Sequence, residues 1–198
     1  MENLYRVKRR DLLRCADVLA KAFFEYPMYK HVLGSDHSAE TMGIATRFFV
    51  NYAYLYGAVY APSPDIEGVL CTIDYQNYRM NPFRLLRCNG LALVRLGLNV
   101  NRKYDEYDKL NSKVHRDVIS VPHQYIMCIG VDPEKQGQGL ASYMLRPAVQ
   151  SAAANGYASY LETHNQTNVD IYKRYGFQLM GEHELPNSDI TLYAMLKR

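Results

Sequence analysis

Apolar residues recur at helical spacing through the first part of the chain. Between Arg10 and Phe24 they fall on one face of a helix, and Pro27 ends that pattern. A short helix is predicted to follow through Val32. Ser38 begins a second helical pattern, which predicts a helix that runs to Tyr56.

Short apolar runs bounded by turn residues predict strands in other parts of the chain. They are predicted over residues 5–8, 58–61, 67–75, 177–184 and 190–196. A buried strand over residues 126–129 and another around Tyr160 are each followed by a helical pattern. Strands that alternate with helices in this way predict an α/β fold.

Residues 80–118 are predicted to be helical, with an interruption near residues 97–99. On one continuous helix Arg84, Arg87 and Arg95 would lie within about 80° of one another. A basic edge of this kind suits a membrane surface or an acidic partner. The favoured interpretation is a helix that covers a substrate cleft and exposes its arginines to solvent.

A strand, a glycine-containing turn and a helix follow one another over residues 126–150. The turn region, residues 131–141, reads VDPEKQGQGLA. Glycines let several backbone N–H groups converge, and the start of a helix adds partial positive charge, so the segment predicts a phosphate or pyrophosphate site. The spacing fits neither a P-loop nor a dinucleotide-binding fingerprint.

Two motifs in this part of the chain resemble those of the GNAT superfamily of N-acetyltransferases. Gln136-x-x-Gly139-x-Ala141 is similar to the pyrophosphate-binding turn of that superfamily. The downstream stretch LETHNQTNVDIYKRYGF, residues 161–177, resembles its later motif and is closest to the branch that contains puromycin N-acetyltransferase. Within that stretch Thr167 is predicted to cap a helix over residues 168–175, which Gly176 ends.

The resemblance implies a single N-acetyltransferase domain over residues 1–198, with its specific motifs within residues 126–177. The implied fold is a GNAT-like mixed, splayed central sheet of about seven strands flanked by helices, with a helical insertion before the central strand.

Composition narrows the class of protein further. Hydrophobic residues make up 48% and charged residues 22% of the 198, which is typical of a soluble globular domain. A net charge of +3 gives no chain-wide attraction to nucleic acid. The cysteines lack metal or disulfide spacing, and we find neither a signal peptide nor an apolar run of membrane-spanning length. We therefore expect a cytoplasmic protein with no metal, no nucleic-acid partner and no membrane partner, and leave a homodimer open.

The resemblance also implies acetyl-CoA as the co-substrate and a set of residues that bind it. The main chain of Ile129 and Val131 would pair with the pantetheine arm, and the N–H of Ile129 would face the thioester carbonyl. Asn168 would contact the same arm or cap its helix. The turn would hold the pyrophosphate through Gln136, Gly137, Gln138, Gly139, Leu140 and Ala141.

Acetyl transfer to an amine needs one group that accepts the proton of the amine and another that protonates the leaving thiolate. Tyr172 matches the motif tyrosine and is the predicted acid. Glu162, at the end of a strand, is the candidate base and would act through water. The alternative for Glu162 is a structural hydrogen bond to a neighbouring loop.

The acceptor pocket is the least determined part of the site. Glu25 and Tyr26, in the break between the first two helices, are predicted to bind the substrate. His123 and His164 are interpreted as surface histidines, and Cys128 as a small core residue.

The sequence therefore predicts an enzyme that transfers the acetyl group of acetyl-CoA to a primary amine of a small molecule, by direct attack in a ternary complex. Three alternatives remain open: a non-catalytic acyl-CoA sensor, acetylation of a protein or peptide amine, and an interaction protein that uses the basic segment.

Overall fold

The computed structural model describes Met1 and residues 3–198. Across these residues the chain forms seven strands and seven α-helices. The strands are β1 (Tyr5–Arg6), β2 (Ala58–Ala61), β3 (Gly68–Asp74), β4 (His123–Val131), β5 (Ala158–Thr163), β6 (Gln178–Glu184) and β7 (Thr191–Lys197). The helices are α1 (Leu12–Ala22), α2 (Pro27–Leu33), α3 (Ala39–Tyr56), α4 (Pro82–Arg87), α5 (Gly97–Val118), α6 (Leu140–Ala154) and α7 (Gln166–Arg174).

The strands described here form one mixed sheet in the order β1-β2-β3-β4-β5-β7-β6. Within it β4 and β5 are parallel, and the other neighbouring pairs are antiparallel. The seven-stranded mixed sheet predicted from the sequence is confirmed.

The two parallel strands separate after a short paired stretch. Residues 123–125 of β4 pair with residues 158–160 of β5, whereas β4 continues to Val131 with no recorded pairing to β5. On its other edge β4 stays paired with β3 up to Val131, with a β-bulge at Met127, because Cys71 pairs with Cys128 while Thr72 pairs with Ile126. The sheet therefore opens between β4 and β5, as the predicted splay requires.

Helices cover both faces of the sheet. Leu70 of β3 belongs to the same buried cluster as Met144 and Leu145 of α6. Its neighbours Val69 and Cys71 belong to a cluster with α1 and α3 instead. Because successive residues of a strand point to opposite faces, α6 lies on one face and α1 and α3 lie on the other.

The helical insertion before β4 is not one continuous helix. After α4 the chain passes through Asn89, which has a positive φ of 64°, into a 3₁₀ segment over Gly90–Leu96, and then into α5. Arg84 and Arg87 therefore lie on α4 while Arg95 lies in the 3₁₀ segment, and the prediction that the three share one helical face is wrong. No helix formed by the described residues is long and apolar enough to cross a membrane.

Candidate active site

The turn between β4 and α6 has the backbone conformation that the glycines predict. Gly137 and Gly139 have φ angles of 78° and 77°, a left-handed region that other residues enter at a cost. Gly139 is the N-cap residue of α6, and in the described chain no side chain caps that helix. The first N–H groups of α6 are therefore free to bind an anion, and a Cβ built on either glycine would meet open space.

A cavity of about 450 Å³, which we call the turn cavity, lies against this turn. It brings together the predicted cofactor residues with the exception of Gln138, and it adds Lys135, which sequence reasoning did not select. The ammonium group of Lys135 and the free amides suit a pyrophosphate. The predicted residues that line the cavity are Ile129, Val131, Gln136, Gly137, Gly139, Leu140, Ala141 and Asn168.

The main chain of β4 faces the gap at the two predicted positions. Asp132 N–H donates to Glu67 O over 2.9 Å, on the β3 side. Because backbone groups alternate along a strand, those of Ile129 and Val131 point the other way, toward β5. The carbonyl of Val131 accepts a hydrogen bond from Gln136 Nε2 at 3.2 Å, which ties the turn to the strand.

A second cavity of about 90 Å³, the gap cavity, lies where β4 and β5 separate. Glu162, Thr163 and His164 line it from the end of β5, and Asn168 and Tyr172 line it from α7. It adjoins the turn cavity, because both are lined by Phe23, Tyr26, Ile129, Asn168 and Tyr172. The two predicted catalytic side chains thus lie at one small cavity beside the predicted cofactor turn.

The start of α7 differs from the prediction. Asn165, not Thr167, is the cap: its side chain accepts a hydrogen bond from Thr167 N at 2.9 Å. Asn168 lies inside the helix and donates from Nδ2 to Thr163 Oγ1 at 3.2 Å, so its role is not to cap. Asn168 and Tyr172 are four residues apart and therefore share a face, which is turned to the gap cavity.

Tyr172 lies among apolar groups. Its ring packs edge-on against Phe177, with the ring centroids 5.9 Å apart. Burial raises the pKa of its phenol, which therefore remains protonated at neutral pH. Its hydroxyl makes no recorded hydrogen bond to the described residues and is free to donate a proton to a ligand.

Glu162 is nearly inaccessible to solvent, with 4% of its side chain exposed. Burial, and to a lesser extent the charge of Asp108, raises its pKa to about 8, while the phenols of Tyr125 and Tyr160 oppose the shift. Its Oε1 atom has no hydrogen-bond partner among the described residues. A carboxyl group with this pKa can exchange a proton close to neutral pH.

Two buried histidines form a hydrogen-bonded chain that ends beside Glu162. His123 Nδ1 lies 2.6 Å from Val121 O and must donate to it, so in the neutral ring Nε2 is an acceptor. His115 Nε2, 2.7 Å away, then donates to His123, and His115 Nδ1 presents a lone pair 3.4 Å from Glu162 Oε1. Burial lowers the pKa of His115 to about 2, so this contact is not an ion pair.

His123 and His164 are not surface residues, and that interpretation was wrong. Their exposed fractions are 0% and 7%: His123 lies where β4 and β5 are paired, and His164 follows β5 where the two strands separate. Burial lowers the pKa of His164 to about 4, and its Nε2 atom has no partner among the described residues. His164 is therefore neutral at neutral pH, as is the phenol of Tyr172 at the same cavity.

Of the two predicted substrate residues, the structure brings one to the site. The hydroxyl of Tyr26 accepts from His164 N–H at 2.7 Å and lies 3.0 Å from Thr163 Oγ1, so Tyr26 ties the break before α2 to the end of β5. Glu25 is exposed and pairs with Lys30, and it lines neither the turn cavity, nor the gap cavity, nor the neighbouring cavity beside Tyr125. Its predicted role in the acceptor pocket has no structural support.

A third cavity of about 340 Å³ continues from the gap cavity, and eight of the residues that line it are aromatic, so we call it the aromatic cavity. Tyr107, Tyr125 and Cys128 line both. Polar side chains of α5 also line the aromatic cavity, and sequence reasoning missed them. Among them are Tyr104, Asp108 and Asn111, and the signal available was their spacing of four and three residues on a helix. Asn101 and Asp105 of α5 line the same cavity.

Sequence comparison relates the chain to acetyltransferases. Residues 102–177 match the acetyltransferase (GNAT) family. An uncharacterized N-acetyltransferase of Schizosaccharomyces pombe is 23% identical over 180 residues, which cover 87% of this chain and 72% of that protein.

Two solved structures share the fold over nearly the whole chain. A protein described as histone acetyltransferase HPA2 and related acetyltransferase, from Corynebacterium glutamicum, aligns with a TM-score of 0.66 at 19% identity and covers 98% of this chain and 94% of its own. The C-terminal condensation domain of Ebony, in complex with beta-alanyl-dopamine, aligns with a TM-score of 0.71 at 8% identity and covers 98% and 97%.

Proposed function

Because the chain belongs to the GNAT acetyltransferase family, we propose that it transfers the acetyl group of acetyl-CoA to a primary amine of a small molecule, by direct attack in a ternary complex. The observation that carries this proposal is the continuity of the three cavities. An anion-binding turn, a small cavity with an acid and a base, and an apolar cavity follow one another through shared lining residues. Each supplies one requirement of the reaction.

The turn cavity suits the cofactor. The amides of Gly137, Gly139 and the first turn of α6 would bind the pyrophosphate, helped by Lys135. The main chain of Ile129 and Val131 would pair with the pantetheine arm as an added strand would, and Asn168 would contact it from α7. Held in this way, acetyl-CoA supplies a thioester carbonyl that an amine in the gap can attack.

The chain's own groups account for the protons. Glu162 accepts a proton from the ammonium group, directly or through water, and frees the lone pair of the nitrogen. The new C–N bond forms as the C–S bond breaks, and the N–H of Ile129 stabilises the charge on the carbonyl oxygen. Tyr172 gives its proton to the sulfur and recovers one from the nitrogen, so that one proton leaves through Glu162.

The size and lining of the aromatic cavity support a small acceptor. Its volume of about 340 Å³ is near the lower end of the range typical of small-molecule sites. The fold does not decide the acceptor, since similar structures include one related to a histone acetyltransferase and one bound to an aromatic amine derivative.

Calorimetry with acetyl-CoA tests the cofactor part of the proposal, with Gly139→Glu compared to Gly156→Glu. Both glycines have a positive φ, 77° and 75°, and both have open space around the position of a Cβ, so the two substitutions strain the backbone equally. Only Gly139 lies at the turn cavity. We expect the wild type and Gly156→Glu to bind acetyl-CoA and Gly139→Glu to lose binding, because a carboxylate there repels the pyrophosphate.

Thiol release with a panel of amines then tests transfer. Acetyl-CoA binding without turnover on any amine or peptide would favour the sensor alternative, and turnover on peptides alone would favour a protein acceptor. Failure of the wild type to bind acetyl-CoA would overturn the proposed function itself.

A further inference from the structure

α5 carries polar residues on the face that it turns toward the protein. Tyr104, Asp108, Asn111 and His115 fall within about 60° of one another at 100° per residue. Asn111 and His115 are 4% and 1% exposed. The face runs from His115, beside Glu162, along the wall of the aromatic cavity to Tyr104. A helix that buries its polar side chains in an apolar cavity differs from the usual amphipathic pattern and calls for a ligand.

Hydrogen-bonding atoms on this face are left unsatisfied. The hydroxyl of Tyr104 and Oδ1 of Asn111 are both buried, and neither has a hydrogen-bond partner in the part of the chain that the structure describes. The amide nitrogen of Asn111 reaches only Tyr125 Oη, at 3.5 Å. Since buried polar groups are nearly always paired in folded proteins, these atoms favour a ligand that donates and accepts hydrogen bonds.

Asp108 lacks a cationic partner, unlike other acids of the same helix. Asp105 pairs with Lys109 at 2.6 Å and Asp117 pairs with Lys113 at 2.7 Å. No Lys or Arg among the described residues lies within ion-pair distance of Asp108. Burial, with the neighbouring charge of Asp105, raises its pKa, whereas Arg116 and Tyr78 oppose the shift. A carboxylate in this position would be stabilised by a bound cation.

Much of the remaining wall is aromatic or aliphatic. Rings of Phe23, Phe48, Phe49, Tyr78 and Tyr107 line the same cavity. Aromatic walls take a flat apolar body and also attract an ammonium group to their faces. The cavity therefore combines the carboxyl group of Asp108, a second carboxylate on Asp105 that already pairs with Lys109, an apolar wall and unpaired hydrogen-bonding atoms.

We propose that this face of α5 recognises the acceptor and that the acceptor is an aralkylamine with a hydrogen-bonding group on its ring. The inference rests on the proposed function. The ammonium group lies between Glu162 and Asp108, where it also meets Asn111 Oδ1. The ring fills the aromatic cavity, and its polar substituent meets the hydroxyl of Tyr104, about 6 Å further along the helix axis than Asp108.

Equilibrium binding of four probes, with and without saturating CoA, tests the inference. The probes are tyramine, phenethylamine, the neutral 2-(4-hydroxyphenyl)ethanol and hexylamine. We expect tyramine to bind most tightly. Asp108→Asn should weaken tyramine about 10- to 100-fold, because it removes the charge that pairs with the ammonium group. The control Asp117→Asn, an exposed acid of the same helix away from the three cavities, should change binding by less than about twofold.

Tyr104→Phe gives a readout that does not depend on Asp108. It should weaken tyramine about 2- to 10-fold and leave phenethylamine unchanged, because only tyramine has a hydroxyl to lose a partner. Equal binding of the neutral alcohol and tyramine, tighter binding of hexylamine, or equal effects of Asp108→Asn and Asp117→Asn would each overturn the inference.

The same titrations separate this inference from the proposed function. If acetyl-CoA binds and other amines are acetylated while no aralkylamine binds, the α5 assignment alone is wrong. If tyramine binds as described and acetyl-CoA does not, the site stands and the transferase reaction is wrong.

Discussion

At the residue scale, the gap cavity places two proton-exchanging groups in unlike surroundings. Glu162 is buried beside a histidine lone pair, and with a pKa of about 8 its ionised fraction, which grows as pH rises, is the form that can accept a proton from an amine. Tyr172 is half-buried beside Phe177, and its raised pKa keeps it protonated for its proposed role as the acid. Tyr172 therefore holds the protonation state that its proposed role requires at neutral pH, whereas Glu162 reaches the ionised state of a base only as pH rises through about 8.

Glu162→Gln should lower kcat/KM about 10²- to 10⁴-fold, because the amide cannot accept the proton of the amine. In the wild type kcat/KM should rise with pH through about 8, as the carboxyl ionises. The variant should lose that inflection. Thiol release measured between pH 6 and 9.5 checks both effects. A variant that keeps the inflection would show that Glu162 is not the group that titrates.

Tyr172→Phe should lower kcat about 100-fold and leave the affinity for acetyl-CoA within about twofold, because the ring packing is preserved and only the proton donor is lost. Tyr157→Phe is the control, since Tyr157 is half-buried outside the three cavities. Steady-state kinetics and calorimetry measure the two quantities. An equal loss of affinity and turnover would mean that Tyr172 only shapes the cavity.

At the scale of elements, α7 shows how a local motif orients a functional side chain. The helix begins at Gln166 because Asn165 caps it, and this start sets which residues face the gap. Asn168 and Tyr172 then share the inward face, while Gly176, with φ of 86°, ends the helix. A cap at Thr167 would have begun the helix two residues later.

Asn165→Ala should lower the free energy of unfolding by about 1 kcal/mol, because an N–H of the first turn loses its acceptor. Thr167→Ala should cost no more than about 0.5 kcal/mol, since Thr167 is an exposed residue within the first turn. Urea denaturation of both variants measures the difference. The reverse order would restore the cap predicted from the sequence.

At the scale of the whole molecule, the packing of α5 on strands β4 and β5 buries histidines and a carboxyl group. His115, His123 and His164 have pKa values lowered from 6.5, to about 2 for His115 and about 4 for His164. They stay neutral in the folded state, so the stability they contribute is lost as pH falls below 6.5. Glu162 keeps its proton when folded, up to about pH 8 against 4.5 when unfolded, so the stability it contributes is lost as pH rises through that range.

We therefore expect the ligand-free protein to be most stable near pH 6.5. Below pH 6.5 the stability lost through the three histidines exceeds the stability gained through Glu162. Between pH 6.5 and 8 the stability lost by ionisation of Glu162 is the larger change. Thermal denaturation at several pH values checks this, and Glu162→Gln should remove the decline on the alkaline side. A midpoint that rises steadily from pH 6.5 to 8 in the wild type would contradict the expected protonation of Glu162.

Elements set by local patterns were predictable, while contacts between distant elements were not. The turn glycines, the long helices α1 and α3, and the seven-stranded sheet follow from spacing, caps and the motifs that resemble the family. The break between α4 and α5 depends on Asn89, which adopts a left-handed conformation. The helical pattern of the sequence does not indicate this conformation. The sequence analysis assigned Glu25 to the acceptor pocket because it lies in the break before α2. In the structure its side chain is exposed and pairs with Lys30.

The sequence by itself determined the glycine turn before α6 and the motif that carries Tyr172, because positive φ angles, caps and strand–turn–helix order depend on residues close together in the chain. Only the tertiary structure decided what faces the gap. Glu162 comes from β5, whereas His115 and Asp108 come from α5, and their pKa shifts arise mainly from burial. A helical period reveals which residues share a face, but packing decides which cavity that face meets.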